Sequence, residues 1–149
     1  MIEWREAVRA DVPVIVDLLA NDALGAQRES AALDPYFAAF DVVAAEPWNT
    51  LVVGTRAGEV VACYQLTLIH GLSIAAATRA QIEGVRVHAG LRGQGVGAGL
   101  LADAEARARA GGAVLMQLTS NAVRDDALRF YERHGYVASH VGFKKTLDE

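Results

Sequence analysis

The residues that most clearly suggest a binding site form one short glycine-rich segment. It comprises Arg92, Gly93, Gln94, Gly95, Val96 and Gly97. The segment follows a strand-like run and opens a helix-like one, and at a helix start the unpaired N–H groups and the helix dipole attract an anion. Missing side chains let a phosphate approach the backbone closely. The segment therefore predicts a pyrophosphate site, with a tight strand-to-helix turn that binds no ligand as the structural alternative.

Two other phosphate-binding motifs also use a glycine-rich turn. A P-loop requires Gly-Lys followed by Ser or Thr, which this segment lacks, so nucleoside triphosphate hydrolysis is poorly supported. Gly93, Gly95 and Ala98 do fit the dinucleotide pattern G-x-G-x-x-A. That fold also requires an acidic residue about 20 residues later, and residues 116–120 provide none. A dinucleotide-binding module stays open as an alternative with weaker support.

Apolar periodicity and turn residues predict a mixed order of strands and helices around this segment. Strand patterns cover residues 2–9, 50–56, 59–69, 80–88 and 113–119, and helix patterns cover a segment capped by Asp11, a segment from Asp34, and residues 95–110 and 125–134. The Ala57-Gly58 turn joins two strands into an antiparallel hairpin. Residues 136–147 could supply one or two final strands. We expect a single α/β domain over residues 1–149, antiparallel in its first half and strand–helix–strand–helix in its second.

Length and composition are those of an ordinary folded enzyme. The chain has 149 residues, of which 52% are hydrophobic and 21% are charged, so it can build its own core. A net charge of −4 and interspersed charges argue against a nucleic-acid partner. No run approaches the roughly 18 apolar residues of a membrane span, and Cys63, the single cysteine, offers no disulfide or metal spacing. We expect a cytoplasmic protein without a metal or a membrane partner.

Two motifs resemble the GNAT acetyltransferase superfamily. The run from Val87 to Gly97 resembles its cofactor motif, Val-x-x-x-x-Gln/Arg-x-x-Gly-x-Gly/Ala, and residues 131–136 match its second signature, Tyr-x-x-x-Gly-Phe/Tyr. The order of predicted elements is similar to that fold over nearly the whole chain. One departure is Arg124, which stands where many members carry asparagine, while Asn121 lies three residues earlier. The resemblance implies a central mixed sheet flanked by helices and an acetyl-CoA-dependent N-acetyltransferase.

The resemblance also implies roles for particular residues. The glycine-rich segment would hold the CoA pyrophosphate, the Val87 N–H would polarise the thioester carbonyl, and Val85 with Val87 would align the pantetheine arm. Tyr131 matches the tyrosine that can protonate the departing CoA thiolate, or it could simply pack its helix against the sheet. Arg124 could contact a CoA phosphate or carbonyl, or it could be a solvated residue at a helix start.

Glu83 is the candidate general base. A lysine-like amine has a pKa near about 10.4, so it must lose a proton before it attacks a thioester at neutral pH. Glu83 lies on the strand that leads to the glycine-rich segment, where a carboxylate can act directly or through water. Strict alternation would place Glu83 on the same face as Val85 and Val87 and could point it into the core. A paired structural carboxylate is the alternative.

The sequence does not identify the amine acceptor. Candidate acceptor-facing segments are residues 21–33, with Arg28 and Glu29, and residues 70–79. A small molecule and a peptide are both compatible with them, and a homodimer fits the fold without a recognisable interface. A noncatalytic acyl-CoA-binding regulator of the same fold is the alternative from another class. Cys63 and most of the four histidines are expected to be packing or surface residues.

Overall fold

Five strands form one sheet within the described residues, which are 1–21, 25–29, 32–122 and 124–148 of this computed structural model. They are β1 (Glu3–Glu6), β2 (Asn49–Arg56), β3 (Glu59–Ile69), β4 (Arg79–Val87) and β5 (Leu115–Gln117), in that spatial order. The first four strands pair antiparallel, and β5 pairs parallel with β4. The predicted mixed α/β class is confirmed.

Helices connect these strands, and those that begin at residues 12, 34, 96 and 125 match the predicted patterns, whereas those that begin at residues 25 and 73 were not predicted. They are α1 (Val12–Ala20), α2 (Gly25–Arg28), α3 (Asp34–Ala45), α4 (Ser73–Ala76), α5 (Val96–Ala110) and α6 (Asp125–Arg133). Both α1 and α3 carry a proline in the first turn, where a missing N–H costs no helical hydrogen bond. Among the described helices, none is long and apolar enough to cross a lipid bilayer.

The two faces of the sheet are packed against different helices. On the α1 face, Ile15 and Leu18 of α1 form a buried cluster with Val53 and Cys63. On the opposite α5 face, the Tyr64 hydroxyl donates to the Asp103 carboxylate of α5 (2.5 Å). Because Cys63 and Tyr64 are neighbours in β3, strand alternation sends them to opposite faces. The face of any residue in the sheet can therefore be read from its register.

A partly buried polar contact joins α5 to the sheet. Arg107 Nε donates to the same Asp103 oxygen that accepts from Tyr64 (2.8 Å). Burial raises the pKa of Tyr64, and the hydrogen bond to Asp103 raises it further, so the phenol stays protonated. Trp4 packs on the same face over Gly54, where an added Cβ would lie 2.5 Å from the indole Cζ3. Gly54 is therefore required by the close approach of Trp4.

Two connections contain residues with positive φ. The β2–β3 turn has Ala57 at φ 52° and Gly58 at φ 83°, the conformation of a two-residue hairpin turn, so the predicted hairpin is confirmed. The short α4 segment in the β3–β4 connection is a left-handed turn, since Ile74, Ala75 and Ala76 have φ between 54° and 59°. Left-handed conformation is unusual for residues with a Cβ, and the small-residue composition alone did not predict it.

The described chain divides into two units, Met1–Gln117 and Leu118–Glu149. The first contains the sheet with α1 to α5, and the second contains α6. No strand forms among residues 136–148, so the expectation of one or two strands there is wrong for the described tail. Instead of joining a ladder, the Ser139 N–H donates locally to the Val137 carbonyl (2.9 Å), and Val137, Val141 and Phe143 stay exposed. A single domain over residues 1–149 stays a prediction.

Candidate active site

Strand β4 leads directly into the predicted anion-binding turn. A 3₁₀ turn over Ala89–Leu91 follows the strand, and α5 begins at Val96. His88 Nδ1 accepts the Gly90 N–H (3.1 Å), and Gln94 Nε2 donates to the Gly90 carbonyl (3.1 Å). Both side chains brace the turn from within. A direct role for Gln94 toward a cofactor stays a prediction.

Gly93 and Gly95 have backbone conformations that favour glycine. Their φ angles are 78° and 82°, in the left-handed region that costs other residues about 1–2 kcal/mol. No atom lies within 4 Å of a Cβ built on either residue. The glycines are therefore needed for the path of the chain, and the space beside their backbone is open to a ligand.

The start of α5 supplies backbone donors beside this turn. The Gly99 N–H donates to the Gly95 carbonyl (3.1 Å), so the N–H groups of Val96 and Gly97 precede that hydrogen bond, as in the first turn of any helix. The Val96 side chain is buried, and only its backbone can reach a ligand. Arg92 is exposed and could add a positive charge. The arrangement is the one that binds phosphate at helix starts.

A β-bulge interrupts β4 just before the turn. Gln65 of β3 pairs with Glu83, but the next alternate residue, Cys63, pairs with Arg86. Tyr64 therefore lies opposite two residues of β4, Gly84 and Val85, whereas a regular antiparallel pair would place one residue there. Gly84 has φ 60°, as expected for the first residue of a glycine bulge.

Because of the bulge, Glu83 lies on a different face of the sheet from the one predicted. Its pairing with Gln65 places it on the α1 face, whereas the Val87–Ala62 pair lies on the α5 face with Tyr64. Val85, opposite Tyr64, lies on the α5 face as well. The expectation that Glu83 shares a face with Val85 and Val87 is wrong, because the extra residue reverses the alternation. Glu83 is exposed rather than directed into the core.

The end of β4 offers backbone groups to a ligand. Among the described residues, β5 pairs with β4 at positions 79–81, and β4 continues past it to Val87. The His88 N–H donates to the Val61 carbonyl of β3 (2.7 Å), so alternation points the Val87 N–H away from β3. The Val85 carbonyl accepts from Arg86 Nη1 (2.8 Å). An extended ligand could pair with this edge as a strand does.

The α1 face beside Glu83 carries half-buried polar side chains. Arg79 Nη1 donates to Gln117 Oε1 (2.8 Å), and Gln117 Nε2 donates to Gln81 Oε1 (3.0 Å). On the neighbouring strands, Asn49 Oδ1 accepts from Gln65 Nε2 (3.2 Å) and from the Thr67 hydroxyl (2.6 Å). Together with Glu83, these side chains form a polar row on the α1 face, which runs from Arg79, Gln81 and Gln117 to Gln65, Asn49 and Thr67.

Tyr131 and Arg124 belong to the second unit. Tyr131 is half-buried in α6 and its ring lies edge-on to that of Tyr136, at 5.8 Å between centroids. The Arg124 carbonyl accepts the Leu128 N–H (3.1 Å) at the start of α6. Their predicted roles toward acetyl-CoA stay predictions, as does the part that Asn121 could take.

Cys63 is a packing residue, as the sequence suggested. It is buried in the cluster on the α1 face, and burial raises the pKa of its thiol to about 12. A thiol that stays protonated is a poor nucleophile. Direct transfer without an acyl-enzyme agrees with this environment.

The two predicted acceptor-facing segments differ in how much of them is described. Within residues 21–33, positions 22–24 and 30–31 lie outside the described residues, as does the side chain of Arg28. Glu29 is described, and its carboxylate accepts from the Tyr36 hydroxyl (2.6 Å). In residues 70–79, His70 Nδ1 lies 3.1 Å from the Thr78 hydroxyl, and Arg79 is part of the polar row.

The chain resembles a known protein family and several individual proteins. The profile of the acetyltransferase (GNAT) family matches residues 15–136. A transcriptional regulator from Bacillus halodurans C-125 is 39% identical with a TM-score of 0.94, covering 99% of this chain and 100% of that one. A proposed acetyltransferase from Agrobacterium tumefaciens strain C58 is 26% identical with a TM-score of 0.86, covering 97% of this chain and 99% of that one.

A curated relative shares a shorter stretch. The aminoalkylphosphonate N-acetyltransferase of Salmonella typhimurium (strain LT2) is 53% identical over 57 residues. The match covers 38% of this chain and 37% of that protein. It links part of the chain to an enzyme that acetylates an amine.

Sequence reasoning missed two features of the site. The bulge at Gly84 was signalled by a glycine within a strand pattern, which often marks such an irregularity. The polar row was signalled by Arg79, Gln81 and Glu83, polar residues at every second position of β4. Gln117 gave no comparable signal, because its contact with Gln81 depends on how β5 pairs.

Proposed function

The chain belongs to the acetyltransferase (GNAT) family, and from that premise we propose that it transfers an acetyl group from acetyl-CoA directly to a primary amine. The observation that carries the proposal is the continuous path from the bulged strand β4 through the glycine turn into α5. One end of this path suits a pyrophosphate and the other an extended pantetheine arm.

The proposed binding of acetyl-CoA uses mainly backbone groups. The pyrophosphate would accept from the N–H groups at the start of α5, with Arg92 nearby in sequence. Pantetheine would lie along the β4 edge at Val85 and Val87, and the Val87 N–H would donate to the thioester oxygen. Such a donor is effective because negative charge develops on that oxygen as the amine attacks.

The proposed chemistry requires a proton to leave the amine and another to reach the departing sulfur. Glu83 would take the first proton, directly or through water, from its exposed position on the α1 face. Tyr131 would supply the second to the CoA thiolate, whose conjugate thiol has an ordinary pKa near about 8.5. A contact between Arg124 and CoA is part of the same proposal. A cytoplasmic location stays a prediction.

A noncatalytic acyl-CoA-binding regulator is the weaker candidate. The similar protein of Bacillus halodurans carries the description of a transcriptional regulator. Against this, the family match and the Salmonella relative both favour acetyl transfer. A regulator and an enzyme would bind acetyl-CoA at the same turn, so only turnover separates them.

An acceptor-panel assay tests the proposal. Purified protein is mixed with acetyl-CoA and each of a set of amines, including amino acids, polyamines, aminoglycosides, lysine peptides and aminoalkylphosphonates, and release of the CoA thiol is followed. We expect amine-dependent release with at least one class. Saturable binding of acetyl-CoA without release for any class would instead favour the regulator.

Matched variants make this assay specific to the site. Glu83→Gln should lower amine-dependent release, whereas Glu105→Gln, in an ion pair with Arg109 on α5, should leave it near the wild-type rate. Binding of NAD at the turn without competition from CoA would support the dinucleotide alternative.

A further inference from the structure

The polar side chains on the α1 face are divided along β4 into one end that offers hydrogen-bond donors and another that offers acceptors. Gln117 Oε1 accepts from Arg79, and its Nε2 donates to Gln81 Oε1 (2.8 and 3.0 Å). Because the Gln81 carbonyl oxygen accepts from Gln117, the Gln81 NH₂ group is the part of that amide that can donate to a ligand. Arg79 retains further N–H groups, because a guanidinium carries five. This end of the row therefore presents donors and a positive charge.

The neighbouring end of the row presents acceptors. Gln65 Nε2 donates to Asn49 Oδ1 (3.2 Å), which leaves the Gln65 carbonyl oxygen as an acceptor. Asn49 is itself oriented, because its NH₂ group donates to the Glu46 carboxylate. Gln65 is the cross-strand partner of Glu83, and such partners have Cβ atoms about 5 Å apart. A carboxylate and an amide oxygen therefore lie side by side.

From this arrangement we propose that the acceptor is an anionic amine, whose acid group binds to Arg79 and Gln81 and whose amine lies at Glu83 and Gln65. The proposal rests on the proposed acetyl transfer and names the substrate class of the same site. Arg79 is the specificity-determining residue, since a guanidinium pairs with carboxylate or phosphonate oxygens through two parallel N–H donors. Gln117 is a positioning residue that holds the guanidinium.

The spacing of the row sets the size of this acceptor. Glu83 and Gln81 are two residues apart on one strand, which corresponds to about 7 Å between their Cα atoms. Gln117 pairs with Gln81 in the sheet, so the contact with Gln117 brings the Arg79 guanidinium to the position of Gln81 along β4. The amine and the acid of the acceptor should therefore be separated by a short linker. A free polyamine would instead place a second cation against Arg79.

Matched acceptors test the proposal through steady-state kinetics. β-Alanine and its uncharged amide differ only in the acid group, and aminoethylphosphonate replaces the carboxylate by a phosphonate. For the wild type we expect a much lower KM for either acid than for the amide. Arg79→Gln should raise the KM of the acids about 10- to 100-fold, as expected for the loss of charge-assisted hydrogen bonds, with little change for the amide or for acetyl-CoA.

Further variants separate recognition from folding. Arg79→Lys should recover part of the affinity for the acids, and Gln117→Leu should weaken it by a smaller factor. Arg109→Gln, an exposed arginine on α5, is the matched control and should change none of these constants. Thermal unfolding of each variant shows whether it is folded.

Outcomes distinguish this proposal from the proposed function. Equal use of acid and amide by the wild type, or an unchanged KM for the acids in Arg79→Gln, overturns the anion site while acetyl transfer stands. If no amine is acetylated, acetyl transfer fails, and calorimetry of β-alanine with the CoA-loaded protein still tests the site. Binding of β-alanine that is weaker in Arg79→Gln than in the wild type would then support the anion site. No binding, or equal binding by both proteins, would overturn it.

Discussion

Glu83 and Tyr131 are the two side chains proposed to transfer protons, and each role depends on where the side chain lies. Glu83 is exposed beside Gln65, on the face opposite to Val85 and Val87, so a proton from an amine has access to its carboxylate. Tyr131 lies in α6, within the second unit. Each role can be tested by removing one proton-transfer group with little change of shape.

Glu83→Gln should reduce kcat/KM for the amine most at low pH. The amine is largely protonated there, so loss of a base costs most, on the order of 10²-fold. As the pH rises toward the amine pKa of about 10.4, the deficit should shrink. The measurement is the pH–rate profile of both proteins, and parallel profiles would remove Glu83 from the role of base.

Tyr131→Phe should lower kcat with little effect on the KM for acetyl-CoA. Only the proton that reaches the leaving sulfur is lost, and general acids contribute about 10²-fold or more in such steps. Tyr136→Phe is the matched control, since this second tyrosine lies against Tyr131 in the same unit. A wild-type kcat in Tyr131→Phe would leave Tyr131 a packing residue.

Among the elements, β4 contains a bulge at Gly84 and leads through the glycine-rich turn into α5. The bulge at Gly84 turns Glu83 and Val87 to opposite faces, and the glycine turn then carries the chain into α5. That single extra residue places Glu83, the proposed base, on the α1 face, while the proposed thioester-binding edge lies at the strand end. Without it, regular alternation would direct Glu83 to the α5 face.

Gly95→Ala should test the turn. The residue has φ 82°, so an alanine is strained there by about 1–2 kcal/mol although its Cβ meets open space. We expect a lower midpoint of thermal unfolding and weaker acetyl-CoA binding, measured by calorimetry. Gly71→Ala, where a Cβ also meets open space, is the control. Unchanged affinity in Gly95→Ala would separate the turn from CoA binding.

Local sequence signals predicted most elements but not how the strands align. The hairpin turn at Ala57-Gly58 and the start of α5 after Gly95 both follow from residue types that act within a few positions. The bulge depends on the register between β3 and β4, which short-range alternation does not contain. The pairing of Gln117 with Gln81 likewise depends on where β5 joins the sheet. The turn of the candidate site and the alternating polar residues of β4 were therefore open to prediction from the sequence, whereas the cross-strand contacts of those residues were not.

An ion pair between the exposed Arg5 and the buried Asp11 links the first strand to the segment that follows it. Arg5 of β1 makes two hydrogen bonds to the Asp11 carboxylate (2.7 and 3.0 Å), and Asp11 also accepts the Val8 N–H (2.8 Å). The contact with Arg5 is the main cause that lowers the pKa of Asp11 below its ordinary value. The pair joins the edge strand to the segment that enters α1.

The stability of the protein should therefore depend on Asp11 in acid. Because its pKa is lower in the folded state, its contribution is complete above the unfolded value of about 3.9 and is lost as the pH falls through the folded value. Urea unfolding at several pH values should show Asp11→Asn less stable than the wild type near neutrality, with a difference that shrinks in acid. A difference independent of pH would contradict this linkage.

The stoichiometry of the reaction distinguishes direct acetyl transfer from hydrolysis of acetyl-CoA and from binding alone. Isotopically labelled acetyl-CoA and an acceptor from the panel are incubated with the protein, and released CoA thiol and acetylated amine are quantified together. Direct transfer predicts one labelled N-acetyl product for each thiol released, with both rates reduced in Glu83→Gln. Thiol release without acetylated amine, or acetyl-CoA binding with neither product, would contradict it.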